Sequence, residues 1–450
     1  MILDSIYTAT VNPFYRFVRG LIRAALGLFY RELEIAGPGQ VPSEGPLLIL
    51  ANHHNGMVDA LILIASSSRP VRYIAKAPLF RIPILGWFMR RLECIPAHRG
   101  QDRGYTKERN EDLYRAAKDA FLAGGAVGIF PEGASHTDSA LADFKHGAAK
   151  MALEAEALAD FRLGLRVQLA GIHFERTRLF RGLVLVTFSP PLGVDGYRER
   201  FAADPRGAVA ALTEELRERL SKMVLDAESE EVARLAAMVE RLLRSEGPVP
   251  GLEERFRRQK EILERYGRLK QTHPAEVEAV RRLLRRFDRM LRLVGSGPGQ
   301  VAAEYRWPRI LAYALKNTAI LLIGAPVFAL GIAVNSVPYL AARGCSLIGG
   351  DTEDHRASVS LLSAFLLFPA WYAALIVAGW KLLPPEVWIP VVAAGPFAGF
   401  VSMRWLERFR RFGRETAGLW LALTGPGVRR RLRSWRIEIL ARLERLAAVD

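Results

Sequence analysis

Cysteine is nearly absent: the 450 residues hold only Cys94 and Cys345, far apart and without the close spacing that a metal site or a disulfide framework needs. A zinc module and a disulfide-stapled fold are excluded, no resident metal is expected, and a reducing compartment is the default. Acidic residues are also scarce, 47 against 63 Lys and Arg, which leaves a formal charge of +16. That balance points to nucleic acid or to an anionic membrane surface. No small-residue cleavage site follows the arginine-interrupted apolar start at Arg16, Arg19 and Arg23, so no cleaved signal peptide is expected.

Charge is missing altogether from three stretches, 317–342 (26 residues), 357–380 (24) and 387–403 (17). A spanning helix needs roughly 20 apolar residues. The first two are therefore expected to cross a membrane. Pro326 and Pro338 in the first, and Pro384-Pro385 ahead of the third, leave a kinked or re-entrant path open. With no ionisable residue inside these stretches, a transport path is poorly supported. The spans and the lack of a recognised nucleic-acid module decide the charge question for membrane lipids, with no nucleic-acid partner expected.

What is present is an apolar share of 50%, enough for a real core over two or three domains. Phe14, Phe17, Val18, Leu21, Ile22, Ala25, Leu28 and Phe29 recur at helical spacing, so residues 1–30 are expected to form an amphipathic membrane-associating helix, with packing on its own domain as the alternative. Short apolar runs at 47–50, 71–74, 127–130, 167–172 and 183–188 alternate with helix-period segments at 105–123 and 144–160, which predicts one α/β domain over 31–205. Residues 206–300 read as a charged helical region broken at "SEGPVPG" and closed by "GSGPG". A transmembrane region, 301–403, follows. The segment 404–450 has twelve arginines against five acidic residues, and with Arg306, Arg309 and Lys316 before the first span it predicts a basic cytoplasmic tail and an even number of crossings.

Three stretches carry chemistry. "ANHHNGMVD" at 51–59 sets His53 and His54 shortly before Asp59, and a carboxylate on one imidazole nitrogen fixes the tautomer that lets the other act as general base. Spacing alone favours neither histidine. "IPAHRG" at 95–100 places Arg99 after an expected strand, and "IFPEGASH" at 129–136 places Glu132, Gly133 and Ser135 in a loop directly after another. Gly permits close backbone approach to a ligand, and Arg suits bidentate phosphate contact, so the set fits a phosphate-bearing substrate.

These blocks, in this order, resemble the glycerophospholipid acyltransferase family, which includes the 1-acylglycerol-3-phosphate and glycerol-3-phosphate acyltransferases. "NHHNGMVD" resembles its His-Asp block, "IPAHRG" its arginine block and "FPEGASH" its Phe-Pro-Glu-Gly-x-Ser block. "VQLAGIHFERTRLFRG" at 167–182 resembles the fourth, except that Leu169 or Ala170 stands where a proline is usual. The resemblance covers about 15–195. It implies an α/β acyltransferase domain, a mixed sheet flanked by helices, followed by a helical region and C-terminal transmembrane helices.

It also implies acyl transfer from acyl-CoA or acyl carrier protein to a glycerol phosphate or lysophospholipid acceptor, with the thioester as co-substrate and no cofactor. His54 by strict spacing, or His53 by alignment, would be the base and Asp59 its orienter. Arg99 would hold the acceptor phosphate, while Glu132, Gly133 and Ser135 would shape the pocket, Ser135 alternatively being a helix N-cap. Arg181 and Lys145 could reach the same phosphate or face solvent. His98, His136 and His146 are assigned no role. The expected location is the inner membrane, with the catalytic domain at the cytoplasmic face. Acylation of another lyso-lipid, or a non-catalytic membrane protein with an acyltransferase-like domain, are the alternatives.

Overall fold

The computed structural model describes residues 13–37, 41–67, 69–98, 107–134, 141–174, 181–225, 227–244, 250–295, 297–302, 307–349, 353–424 and 426–449. Two compact units divide the chain, Met1–Asp226 with Glu353–Ser358, and Ala227–Thr352 with Val359–Asp450.

The first unit is built on a mixed sheet. In chain order it runs α1 (Pro13–Phe29), β1 (Glu32–Ala36), β2 (Leu47–Ala51), α2 (Met57–Ser66), β3 (Arg72–Lys76), α3 (Pro83–Arg91), β4 (Ile95–Ala97), α4 (Lys107–Leu122) and β5 (Ala126–Ile129). Then come α5 (Gly147–Leu158), β6 (Arg166–Phe174), β7 (Leu183–Phe188), β8 (Leu192–Gly193), α6 (Arg198–Ala203) and α7 (Pro205–Ser221). The strand order is β1-β7-β6-β2-β5-β3-β4, with β8 on β6. β2 pairs in parallel with both β5 and β6, and β6 turns back antiparallel into β7. All five residues of β2 are buried, as a central parallel strand covered on both faces must be, which is why "LLILA" has no polar alternation.

Helices cover this sheet with small and branched residues. Ala148, Ala149, Ala152 and Ala155 of α5 pack in one core with Leu48, Val127, Val167 and Phe121. Ala208, Leu212, Leu216 and Leu220 of α7 join that core, so the helical region expected from residue 206 begins with a helix of the α/β unit. Arg23 Nε of α1 donates to the Ala65 carbonyl at the end of α2 (2.9 Å), while Tyr15, Val18 and Leu26 are buried, giving α1 a packed face on its own unit. Phe17 stays 67% exposed.

The second unit is helical among the described residues. α8 (Glu230–Leu243), α9 (Leu252–Thr272), α10 (Pro274–Leu293) and α11 (Pro298–Ala302) precede the long α12 (Trp307–Gly349), α13 (Glu353–Leu382, of which Glu353–Ser358 belongs to the first unit), α14 (Pro385–Thr424) and α15 (Pro426–Ala447). Three of these contain helices long and apolar enough to cross a membrane, Ile310–Ile348, Ser358–Leu382 and Pro385–Gly413. The boundary expected at 403 lies inside α14. Within the segment expected to be a tail, Leu432, Ile439 and Leu446 of α15 recur every seven residues and are buried against Leu284, Phe287 and Leu291 of α10.

Candidate active site

Parallel pairing of β2 with β5 brings two loops to the same edge of the sheet. Leu50 lies opposite Ile129, so the residues after Ala51 and those after Ile129 emerge side by side, in the crevice beyond the carboxyl ends of the strands where open α/β sheets bind ligands. β4 pairs in parallel at the far end of the same array and ends at this edge. Arg99, two residues after it, lies outside the described residues, as does Ser135.

Asn52 anchors the first loop. Its side-chain amide donates to the Ile172 carbonyl (2.9 Å) and its Oδ1 accepts from the Ile172 N–H (2.7 Å), adding a side-chain rung to the β2–β6 ladder beyond Ala51. His53 follows. Its backbone N–H donates to Glu132 Oε1 (2.9 Å), its ring stacks on Phe130 with centroids 4.2 Å apart, and its Nδ1 lies 3.0 Å from Asp59 Oδ2. A carboxylate only accepts, so Nδ1 carries the proton and Nε2 the lone pair. The ring is thereby held by two contacts and its backbone by a third, with 12% of the side chain still exposed for a reactant.

The histidine placed on Asp59 is His53, whereas strict sequence spacing favours His54. The difference has a physical cause: residues 53–56 turn before the helix starts, so helical spacing does not govern them. Gly56, at φ 54° and ψ −130°, makes that turn in a region essentially reserved for glycine. Asp59 sits fully buried in the first turn of α2, where the helix N-terminus favours a negative charge, and its Oδ2 also accepts the Asn55 N–H at 2.7 Å. Asn55 Nδ2 donates to the Tyr30 hydroxyl (3.4 Å), whose pKa burial raises, with the Asp59 charge adding to the effect, so Tyr30 remains a neutral phenol.

Glu132 and Gly133 lie on a turn closed by the Gly133 N–H on the Phe130 carbonyl (3.1 Å). Glu132, only 6% exposed, uses one oxygen to brace the His53 backbone, a role beyond the pocket-shaping one expected. Gly133 has φ 75°, and Lys145 lies where its Cβ would be, with Nζ 2.7 Å from that position. The Lys145 N–H donates to the Pro131 carbonyl (2.8 Å), so both backbone and side chain of this lysine follow the turn. Lys145 thus stands at the site, which its sequence position left open.

Arg181 is placed elsewhere: Nη1 donates to the Gly27, Leu28 and Tyr30 carbonyls at 3.2–3.5 Å, capping α1. His146 Nδ1 lies 3.2 Å from Thr213 Oγ1, a packing contact. Asn52 and Phe130, which carry much of the positioning, flank the expected residues inside the same two sequence blocks. No group of three or more His, Cys, Asp or Glu side chains able to hold a metal ion occurs among the described residues.

Residues 32–168 match the family model described as Acyltransferase. The chain is 27% identical over 138 residues to a chloroplastic 1-acyl-sn-glycerol-3-phosphate acyltransferase of Arabidopsis thaliana, a match covering 30% of this chain and 37% of that protein. It is 35% identical over 108 residues to a glycerol-3-phosphate O-acyltransferase of Saccharomyces cerevisiae, covering 24% of this chain and 14% of that one. The 1-acyl-sn-glycerol-3-phosphate acyltransferase of Borreliella burgdorferi is 29% identical over 137 residues, 30% of this chain and 52% of its own. Each match thus spans about half or less of the relative's length. Among solved structures, the 1-acyl-sn-glycerophosphate acyltransferase of Thermotoga maritima is similar with a TM-score of 0.32 at 20% identity, covering 45% of this chain and 81% of that one. The matched segment, which holds β2, β5 and both loops of the site, is similar to the Acyltransferase family.

Proposed function

We propose that this protein is a membrane-bound O-acyltransferase that moves a fatty acyl group from acyl-CoA or acyl carrier protein to the hydroxyl of 1-acylglycerol 3-phosphate or glycerol 3-phosphate. The observation that carries the proposal is the His53 ring held on buried Asp59 at the carboxyl edge of the sheet. His53 Nε2 takes the proton of the acceptor hydroxyl as its oxygen attacks the thioester carbon. Asp59 stabilises the imidazolium that forms. The tetrahedral oxyanion collapses, the carbon–sulfur bond breaks, and the imidazolium returns its proton to the departing thiolate, so ester and thiol leave together.

Lys145, following the Glu132-Gly133 turn, supplies a cation for the acceptor phosphate, and Arg99 joins it by the resemblance of its block. Both relatives' names support a phosphorylated glycerol acceptor. The site would face the cytoplasm of the inner membrane, where acyl donors are made.

The test is an acyl-transfer assay in membranes, offering each acceptor separately with labelled acyl-CoA and acyl carrier protein donors. His53→Ala should lower turnover on the order of 10²–10⁴-fold and Asp59→Asn nearly as much, while His54→Ala keeps most activity. Transfer that survives His53→Ala would remove the dyad from the mechanism, and failure of both acceptors would redirect the site to another lyso-lipid.

A further inference from the structure

Helix α2 begins without a local cap. Its N-cap residue, Gly56, has no side chain to accept a hydrogen bond, yet the first helical N–H, on Met57, is paired: it donates to Ser358 Oγ at 3.0 Å. The same hydroxyl gives its proton to the Asn55 carbonyl (3.3 Å), which also receives the Val58 N–H (3.1 Å). Ser358 is about 300 positions away in sequence, near the start of α13, in the segment Glu353–Ser358 that belongs to the first compact unit.

We propose that Ser358 is a positioning residue for the His53–Asp59 dyad, acting as a remote N-cap of α2. The proposal rests on the reading of that dyad as the base pair of the reaction. Asn55 is the link: its N–H holds Asp59 Oδ2 and its carbonyl is held by Ser358. Because Gly56 can adopt many backbone conformations, a hydroxyl that donates to the Asn55 carbonyl and accepts from the Met57 N–H adds a clamp across the glycine, joining the two peptides on either side of it. Removing it frees the Asn55 N–H to leave Asp59, and the carboxylate then orients the imidazole less sharply. No contact between Ser358 and the reactants is required.

The experiment uses the full chain in lipid nanodiscs, comparing wild type, Ser358→Ala and Ser358→Thr, with Ser358→Ala repeated on Asp59→Asn. Two readouts are taken: hydrogen exchange of the peptide covering 52–60, and kcat and KM for both substrates. Ser358→Ala should speed exchange at 55–58 and lower kcat about tenfold while each KM stays within about twofold, because a small misplacement acts on the reacting geometry. Ser358→Thr, which keeps the hydroxyl, should restore both, and on Asp59→Asn the alanine change should cost nothing further.

Unchanged exchange, an unchanged kcat, a loss that is undiminished on Asp59→Asn, or a loss that threonine does not restore would each overturn the proposal. Failure of the dyad itself is read separately, as activity that persists in His53→Ala. If wild type transfers no acyl group to any acceptor, the exchange comparison alone decides whether the cap exists.

Discussion

At the site, the residues that matter most for geometry are those that leave no freedom to their neighbours. Gly133 combines a left-handed backbone with a lysine lying across its α-carbon. Gly133→Ala would add strain of roughly 1–3 kcal/mol and push the Lys145 ammonium away from the turn. If Lys145 contacts the acceptor phosphate, Gly133→Ala and Lys145→Ala should both raise KM for the phosphorylated acceptor several-fold, with a smaller change in KM for the thioester. Steady-state kinetics with each substrate varied in turn separates this from general damage, which would lower kcat alone.

Cys94 offers a control on covalent mechanisms: burial pushes its thiol up to about 11, so at pH 7 only roughly one molecule in ten thousand carries the thiolate. In a Cys345→Ser background, acyl transfer should therefore be insensitive to maleimide at neutral pH. Rapid inactivation would mean that the half-buried Cys94 is more accessible and more acidic than its surroundings imply.

Among the elements, the long apolar strands were legible in the sequence and the edge strand β1 was not. β2, β5, β6 and β7 are continuous apolar runs whose length and Gly/Pro borders identify them. β1, "ELEIA", pairs only with β7 and keeps Glu32 exposed, so it lacks the run that marks its neighbours. The dyad was legible as a set of residues but not as a pair. Choosing between His53 and His54 requires the turn at Gly56, which depends on a backbone dihedral that no spacing rule contains. The contact from Ser358 was invisible for a simpler reason, since nothing local links positions that far apart in the chain.

The long helices show the same distinction. Their charge-free stretches were plain, whereas the polar residues that join them were not. Asn335 donates to the Gly395 carbonyl of α14 (3.1 Å) and accepts from the Tyr372 hydroxyl of α13 (2.9 Å), and a Cβ on Gly331 would stand 2.3 Å from the Ala398 carbonyl. Small residues permit the close approach, and each interhelical hydrogen bond adds about 0.6 kcal/mol. Asn335→Leu should therefore destabilise the helix association by about 1 kcal/mol, and Gly331→Val by more, because a backbone carbonyl cannot move aside. Thermal unfolding in detergent would rank the two, and the reverse order would show that hydrogen bonding outweighs packing there.

α15 behaves as core despite its arginines: Ile439→Ala should cost roughly 2–5 kcal/mol, whereas a surface helix would lose little.

Across the whole molecule, the composition and the long helices agree on a membrane protein, and the side on which the first long apolar helix ends can be tested with a native residue. The apolar helix Ile310–Ile348 has 39 residues, about 58 Å of α-helix against a hydrocarbon core of roughly 30 Å, so it must project well beyond one side of the bilayer unless it tilts steeply. Cys345 lies eight residues before Glu353, near the end of this helix, and Glu353–Ser358 belongs to the compact unit that holds the site, so a site facing the cytoplasm puts Cys345 on the cytoplasmic side. Cys345 is exposed, and a Cys94→Ser background removes the half-buried second thiol. A membrane-impermeant maleimide should then label the protein in inside-out vesicles and not in right-side-out ones, while both preparations resist extraction by high salt. Labelling only in right-side-out vesicles would put Cys345, and with it the neighbouring Glu353–Ser358 and the site, on the outer side. Labelling in neither would mean that α12 lies tilted or re-entrant with Cys345 inside the bilayer, the path that Pro326 and Pro338 allow.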